Sequence, residues 1–235
     1  MDAQTLNRNA LLAMIGNEAV DRISAGGLLV ELQIGEPIHH IGEPVHYLWF
    51  PLSGMVSHTV PLADGSIVEA GLVGREGVVG LLSMLGNANR ATSEAMVQLP
   101  GSAYRVDLAS WQNALSGNDA IMRAMLTFSH DLFMMVSQTA ACNVRHDIGR
   151  RLARWLLLAH DRSDRGPMPL TQEFLGAMLG VQRNTVTVAA RELQQQGAIQ
   201  YSRGSILVTD RAKLESLACE CYSAIQARLA GPRLG

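Results

Sequence analysis

The stretch from Thr171 to Gly197 constrains the fold most, because it encodes two short helices and the turn between them. Thr171 is a residue type that caps helices, and Glu173 adds negative charge to the first turn, where the helix dipole favours it. Phe174, Leu175, Met178 and Leu179 supply an apolar side, and Gly180 stops the helix. Val186, Ala189, Ala190 and Leu193 then recur at the spacings of a second inward face, which Gly197 ends as a left-handed C-terminal residue. Two short helices joined by a tight glycine-containing turn are a helix-turn-helix.

The outward residues of the second helix give this motif a chemistry. Gln182, Arg183, Asn184, Thr187, Val188 and Arg191 point away from the apolar face, with the long polar side chains gathered at the helix start. In a helix-turn-helix that end enters the major groove. Arg183 has the planar fork that fits guanine O6/N7, and Asn184 can pair with adenine N6/N7. Thr171, Gln172 and Thr185 suit phosphate oxygens, and Val188 suits a thymine methyl. Downstream, AIQYSRGSILVTD reads as two short strands around an SRGS turn, a wing that would put Ser202 and Arg203 on the DNA backbone. Asp210 then caps a further helix.

Charge follows the same division. Residues 1–144 hold six arginines against 13 acids, a net −7, whereas residues 145–235 hold 12 arginines and one lysine against eight acids, a net +5. Positive charge confined to one segment of an acidic protein points to a local polyanion site.

Upstream the period changes. After a helical start around Leu11 to Ser24, residues 28 to about 108 run as short apolar or alternating segments separated by GEP (twice), PLSG, LADG and LPGS, the pattern of a sandwich or barrel of short strands. Tyr47, Trp49 and Phe50 are expected in its core. A long helix follows, on which Ile121, Met125, Phe128, Leu132, Met135, Thr139 and Cys142 recur at alternating spacings of four and three, the seam of a coiled coil. Met122, Leu126, Phe133, Val136 and Ala140 form a second apolar row. Two adjacent stripes need two partners, so one is expected to meet the chain's own β domain and the Ile121 row a second copy of the chain. A hinge is expected at Asn143 to His146, then a helix to about His160 with Ile148, Leu152, Trp155, Leu156 and Ala159 on one face. The whole is α+β, divided as 1–116 (N-terminal helix and β domain), 117–146 (dimerisation helix and hinge) and 147–235 (winged helix).

Other chemistry finds little support. The three cysteines, Cys142, Cys219 and Cys221, are an odd number without an export signal, so reduced thiols and a cytoplasmic location are expected. Cys142 reads as a small buried hydrophobe, and Cys219 and Cys221, if helical, point to different faces, a poor geometry for a shared metal or a disulfide. His39, His40, His46 and His58 lie at no metal-ligand spacing and read as surface or turn residues. No nucleophile, base or paired-carboxylate arrangement emerges, so neither an enzyme nor a cofactor or metal is expected.

These segments resemble the Crp/Fnr family of bacterial transcription regulators. LTQEFLGAMLGVQRNTVTVAARELQQQGAI looks like its winged-helix signature and HDIGRRLARWLLLAHDR like the preceding helix. YLWFPLSGMVS, DGSIVEAGLVGREGVVG and SQTAACNVRH look like the cyclic-nucleotide-binding β-roll and dimer helix of one branch, and CECY at 219–222 like a tail seen there. The resemblance implies an N-terminal β-roll (a double-stranded β-helix), a long dimerisation helix and a C-terminal winged helix. It also implies a homodimer on a palindromic operator, with double-stranded DNA and RNA polymerase as partners and no membrane. Members that bind cyclic AMP carry a Glu after a Gly in the phosphate-binding turn and an Arg some dozen residues on; here Leu81 follows Gly80, and Ser93 falls near the Arg position, leaving Arg90 as the nearby cation. Without a cation to meet it, a buried cyclic phosphate is severely unfavourable, so cyclic AMP is not expected as the effector. Iron–sulfur oxygen sensors of the family carry an N-terminal cysteine group, whereas no cysteine here precedes Cys142. Members also follow the reading-helix Arg with a Glu and place a second Arg four residues beyond it; Asn184 and Val188 stand there, so the half-site is expected to differ. The competing reading is a ligand-binding β-roll whose winged helix contacts proteins.

Overall fold

The computed structural model describes residues 3–24, 26–86, 89–163 and 165–229. Its contacts group residues 1–58 and 72–133 into one compact unit, and residues 59–71 and 134–235 into a second. This departs from the division at 116 and 146. The long helix contributes to both units, and a hairpin tip from the β domain is counted with the winged helix; positions 1–2 and 230–235 of the expected division lie outside the described residues.

The first unit starts with α1 (Ala3–Leu6), α2 (Ala10–Ile15) and α3 (Asn17–Ser24), so the expected helical start is broken at Gly16, whose φ of 79° belongs to the left-handed region. Asn9 caps α2. Its Oδ1 accepts the N–H groups of Leu11 and Leu12, and its Nδ2 donates to the carbonyls of Pro51 and Gly77. It is fully buried, and four hydrogen bonds make that burial tolerable.

The β domain consists of β1 (Gly27–Leu32), β2 (Pro37–His39), β3 (Tyr47–Pro51), β4 (Met55–Pro61), β5 (Ile67–Val73), β6 (Glu94–Leu99) and β7 (Gly101–Asp107), with α4 (Leu81–Leu85) and α5 (Leu108–Leu115). One sheet has the order β1-β7-β3 and the other β2-β6-β4-β5. Two sheets of short strands, joined by crossovers, form the expected β-roll. In β3 the pleat sends Leu48 and Phe50 inward, where Phe50 lies 5.2 Å from the Trp111 ring. Tyr47 and Trp49 take the other face and are not core. Arg105, opposite Trp49 in the ladder, stacks over both rings at 4.4 and 5.4 Å, which keeps two large aromatics half-covered at the surface.

The helix α6 (Asp119–Arg145) has 27 residues. All seven residues expected on the dimer seam are buried within the single chain. They face the chain's own packing: a Cβ on Gly77 would sit 2.1 Å from the Phe128 ring, Thr139 accepts from Arg154, and Cys142 meets Cys219. The second row stays outside, with Met122, Leu126 and Phe133 exposed by 43, 58 and 68%. The row expected to meet a second copy is therefore the one covered within the single chain.

In the second unit, Asp147 caps α7 (Ile148–His160) after a break at His146. The helix α7 is buried from Arg151 to His160 on all sides, not on one face. The tip of the β4–β5 hairpin, α8 (Gln172–Leu179), α9 (Arg183–Gln195), α10 (Arg211–Leu217) and α11 (Cys221–Leu229) belong to the same unit. Trp155 on α7 meets Glu69 at the hairpin and the edge of the Phe174 ring on α8. Arg211 bonds Asp161, Glu215, His160 and Tyr222, tying the end of α7 to α10 and α11. Among the described residues no helix is long and apolar enough to cross a membrane.

Candidate nucleic-acid interface

The hydroxyl of Thr171 accepts the Phe174 N–H at 3.1 Å and starts α8. Gly180 ends it at φ 64°, and the Val181 N–H returns to the Gly176 carbonyl at 2.9 Å. The turn is tight enough that a Cβ on Gly176 would lie 2.9 Å from the Val181 carbonyl oxygen, so this glycine sets how closely α9 approaches α8. Val186, Ala189, Ala190 and Leu193 are buried as the inward face. Gln182, Arg183, Asn184, Thr185, Val188 and Arg191 are exposed, as the spacing predicts.

The wing is β8 (Ile199–Ser202) paired with β9 (Ser205–Val208), and Met168 bridges to Ile206 as a third strand position. Its two-residue tip is Arg203-Gly204, with φ values of 37° and 82°. Such a turn favours Asn or Gly at the first place, so an exposed arginine there is held in a costly conformation. Ser202 and Arg203 are both exposed.

The helix α9 and the wing frame a groove of about 430 Å³, lined by Gln172, Arg183, Asn184, Thr187, Arg191 and Tyr201, together with Ala190 and Gln194. The expected residues divide within it. Thr187 does not present a free hydroxyl: its Oγ1 donates to Gln172 Oε1 at 2.6 Å, with the Arg183 carbonyl oxygen 3.0 Å away. It braces α9 against α8 and orients the Gln172 amide. Gln194 and Tyr201 were not expected. Gln194 Oε1 accepts the Tyr201 N–H at 2.8 Å and holds the wing to the reading helix; in QQQ its sequence context is that of a solvated helix end.

Two known domain types match the chain. The Crp-like helix-turn-helix domain matches residues 150–217, and the cyclic nucleotide-binding domain matches residues 29–118. The chain belongs to the Crp/Fnr family. FixK2 from Bradyrhizobium japonicum is similar over 82% of this chain and 98% of its own, at 21% identity and a TM-score of 0.69. The c-di-GMP responsive global regulator CLP of Xanthomonas campestris covers 81% and 98% at 16% identity and 0.65. A CRP-family transcriptional regulator from Thermus thermophilus covers 80% and 96% at 20% identity and 0.64. No curated protein matches the chain.

In the β-roll of this Crp/Fnr chain, Leu81 is buried and begins α4, and Ser93 bonds the ring of His58 through Oγ and Nδ1 at 3.0 Å. Arg90 is exposed, and its guanidinium donates to the Gly42 carbonyl at 2.7 Å. His39 and His58 are not surface residues. Both are buried, with rings 6.4 Å apart, and burial followed by the neighbouring His39 pushes His58 down to about 4. His40 lies 3.6 Å from Glu94.

The cysteines also depart from expectation. Cys219 precedes α11 and is not helical, so it and Cys221 do not share a helix. Both lie in one buried cluster with Cys142, whose Sγ is 3.5 Å from that of Cys219. The bond to Cys219 and burial push the Cys142 thiol up, and the same bond holds Cys219 down at about 5.

Proposed function

We propose that this Crp/Fnr protein is a sequence-specific transcription regulator that binds a palindromic operator as a homodimer. The observation that carries this reading is the groove at the start of α9, where Arg183, Asn184 and Arg191 stand exposed beside a braced Gln172. Arg183 and Asn184 read base edges. Thr185, Ser202 and Arg203, together with the first turn of α8 at Thr171, sit on phosphates. Dimerisation uses the exposed row Met122, Leu126, Phe133, Val136 and Ala140, whose spacings of four, seven, three and four continue a heptad. Two-fold symmetry then sets the reading helices about 34 Å apart, on successive major-groove turns. RNA polymerase is the further partner.

Cyclic AMP is not the effector in this reading. Leu81 and Ser93 provide no charge for a cyclic phosphate, and the Arg90 guanidinium is engaged on the Gly42 carbonyl at the surface. An effector acts by shifting the population in which both winged helices match the operator, through the break at His146. The experiment is selection of sites from a random DNA pool at one stated salt concentration, with Arg183→Ala alongside. The expected result is a palindrome with half-sites about ten base pairs apart, relaxed at one position per half-site by the variant. Recovery of no sequence under any tested effector overturns the reading.

A further inference from the structure

We propose that Cys142, His146, Cys219 and Cys221 are the four ligands of a structural zinc(II) site that staples the end of the long helix to the segment after the winged helix. One ligand atom from each of the four lies within 4.8 Å of all the others. Tetrahedral zinc thiolates have sulfur–sulfur edges of about 3.8 Å, and the Cys142 and Cys219 sulfurs are already 3.5 Å apart. Three sulfurs and one imidazole are a ligand set that closes the zinc coordination sphere, which suits a structural role.

Two independent observations surround these four residues. Arg151 and Arg154 are both buried, each has an unpartnered Nε, and no salt bridge joins either to a carboxylate among the described residues. Arg154 bonds the Thr139 hydroxyl and Arg151 the Leu179 carbonyl, neither of which carries charge. Buried cations need counter-charge. Three thiolates and a neutral imidazole around a divalent ion leave one net negative charge, which the two guanidiniums share.

The second observation is a set of outer partners of the kind that metal ligands have. Gln138 donates its amide to Cys221 Sγ at 3.0 Å, and the Glu220 carboxylate lies 3.3 Å from His146 Nε2. A carboxylate on one imidazole nitrogen fixes the ring and the tautomer, leaving Nδ1 as the donor to the metal. Zinc thus joins positions on either side of the whole winged helix, and one of them, His146, is the break between α6 and α7. On the reading above as a DNA-binding regulator, occupancy sets how freely that break moves and thereby the affinity for the operator.

The test is titration of the metal-free full-length protein with cobalt(II), with zinc competition and metal analysis of the protein as purified under reductant. One cobalt per chain with the intense visible bands of tetrahedral coordination and thiolate charge transfer is expected, displaced by one equivalent of zinc. Glu220→Gln changes an exposed side chain and should weaken binding about 10–100-fold, and His146→Ala more. A pale octahedral spectrum, or no uptake, overturns the site. Iron with sulfide in protein prepared without oxygen, or a Cys142–Cys219 disulfide in place of bound metal, overturns the zinc assignment. DNA selection is scored separately on metal-free and zinc-loaded protein. Metal uptake without operator recognition sinks the regulatory reading alone, and operator recognition without uptake sinks the zinc site alone.

Discussion

The indole N–H of Trp155 lies between the two carboxylate oxygens of Glu69, at 3.0 and 3.1 Å, across 86 positions of sequence. Both residues are buried, and together they fasten the hairpin tip to the helix on which the reading motif is packed. Trp155→Phe keeps most of the aromatic volume but removes this donor from a buried carboxylate, which should cost about 1–3 kcal/mol. Glu69→Gln leaves an acceptor oxygen and should cost less. Urea unfolding followed through tryptophan-independent helical signal compares the two; a Trp155→Phe protein as stable as the parent would show that the bond contributes nothing.

The reading helix and the wing should answer differently to truncation. Arg183→Ala should lose about 1–3 kcal/mol of discrimination at one base position. Arg203→Ala should weaken binding evenly across sequences and lower the slope of log K against log salt by about one. Affinity titrations of an operator and a scrambled duplex at several salt concentrations check both. Equal losses on the two duplexes for Arg183→Ala would mean that this residue holds phosphate instead of base.

Phe133→Glu should abolish the proposed dimer, because it sets a charge into the exposed apolar row, whereas a change at the buried Ile121 should unfold the protein without that selectivity. Sedimentation equilibrium over a range of concentrations distinguishes monomer from dimer, and circular dichroism reports folding. A dimer that survives Phe133→Glu and Leu126→Glu together moves the contact elsewhere.

Acid should destabilise the fold through its buried histidines, His58 in the β-roll foremost. The unfolded His58 takes up a proton near 6.5, and the folded one only near 4, so the unfolded state binds more protons between those values. Stability contributed by the neutral ring is complete above pH 6.5 and falls as pH drops to about 4, by about 3 kcal/mol in all. His39 and His160 shift in the same direction, so they add to the slope. Denaturant midpoints measured from pH 7.5 to 4 should fall more steeply for the parent than for His58→Gln; parallel curves would remove His58 from the account.

How much of this was legible depends on how local the signal is. Thr171, Gly180 and Gly197 act on their own helices, so the motif, its caps and the exposed residues at the start of α9 could be placed from spacing alone. The stripes of α6 are different. Both are apolar and both fit a heptad, and only the packing of residues such as Phe128 against Gly77 decides which is inside. Tyr47 and Trp49 were misplaced because aromatic character suggests burial, while Arg105, more than fifty positions away, provides cover at the surface. The cysteine cluster unites residues 77 positions apart. Its one local hint was Cys142 and His146, four apart at a helix end, beside the closely spaced pair Cys219 and Cys221.

The second unit is assembled from two separate lengths of chain, residues 59–71 and 134–235. A fragment cut at 134 would therefore lack the partner of its central tryptophan, and the winged helix should not be expected to survive dissection intact. During synthesis the order is fixed as well. The hairpin is made before Trp155, so the interior of this unit closes only when the later length of chain reaches the earlier one.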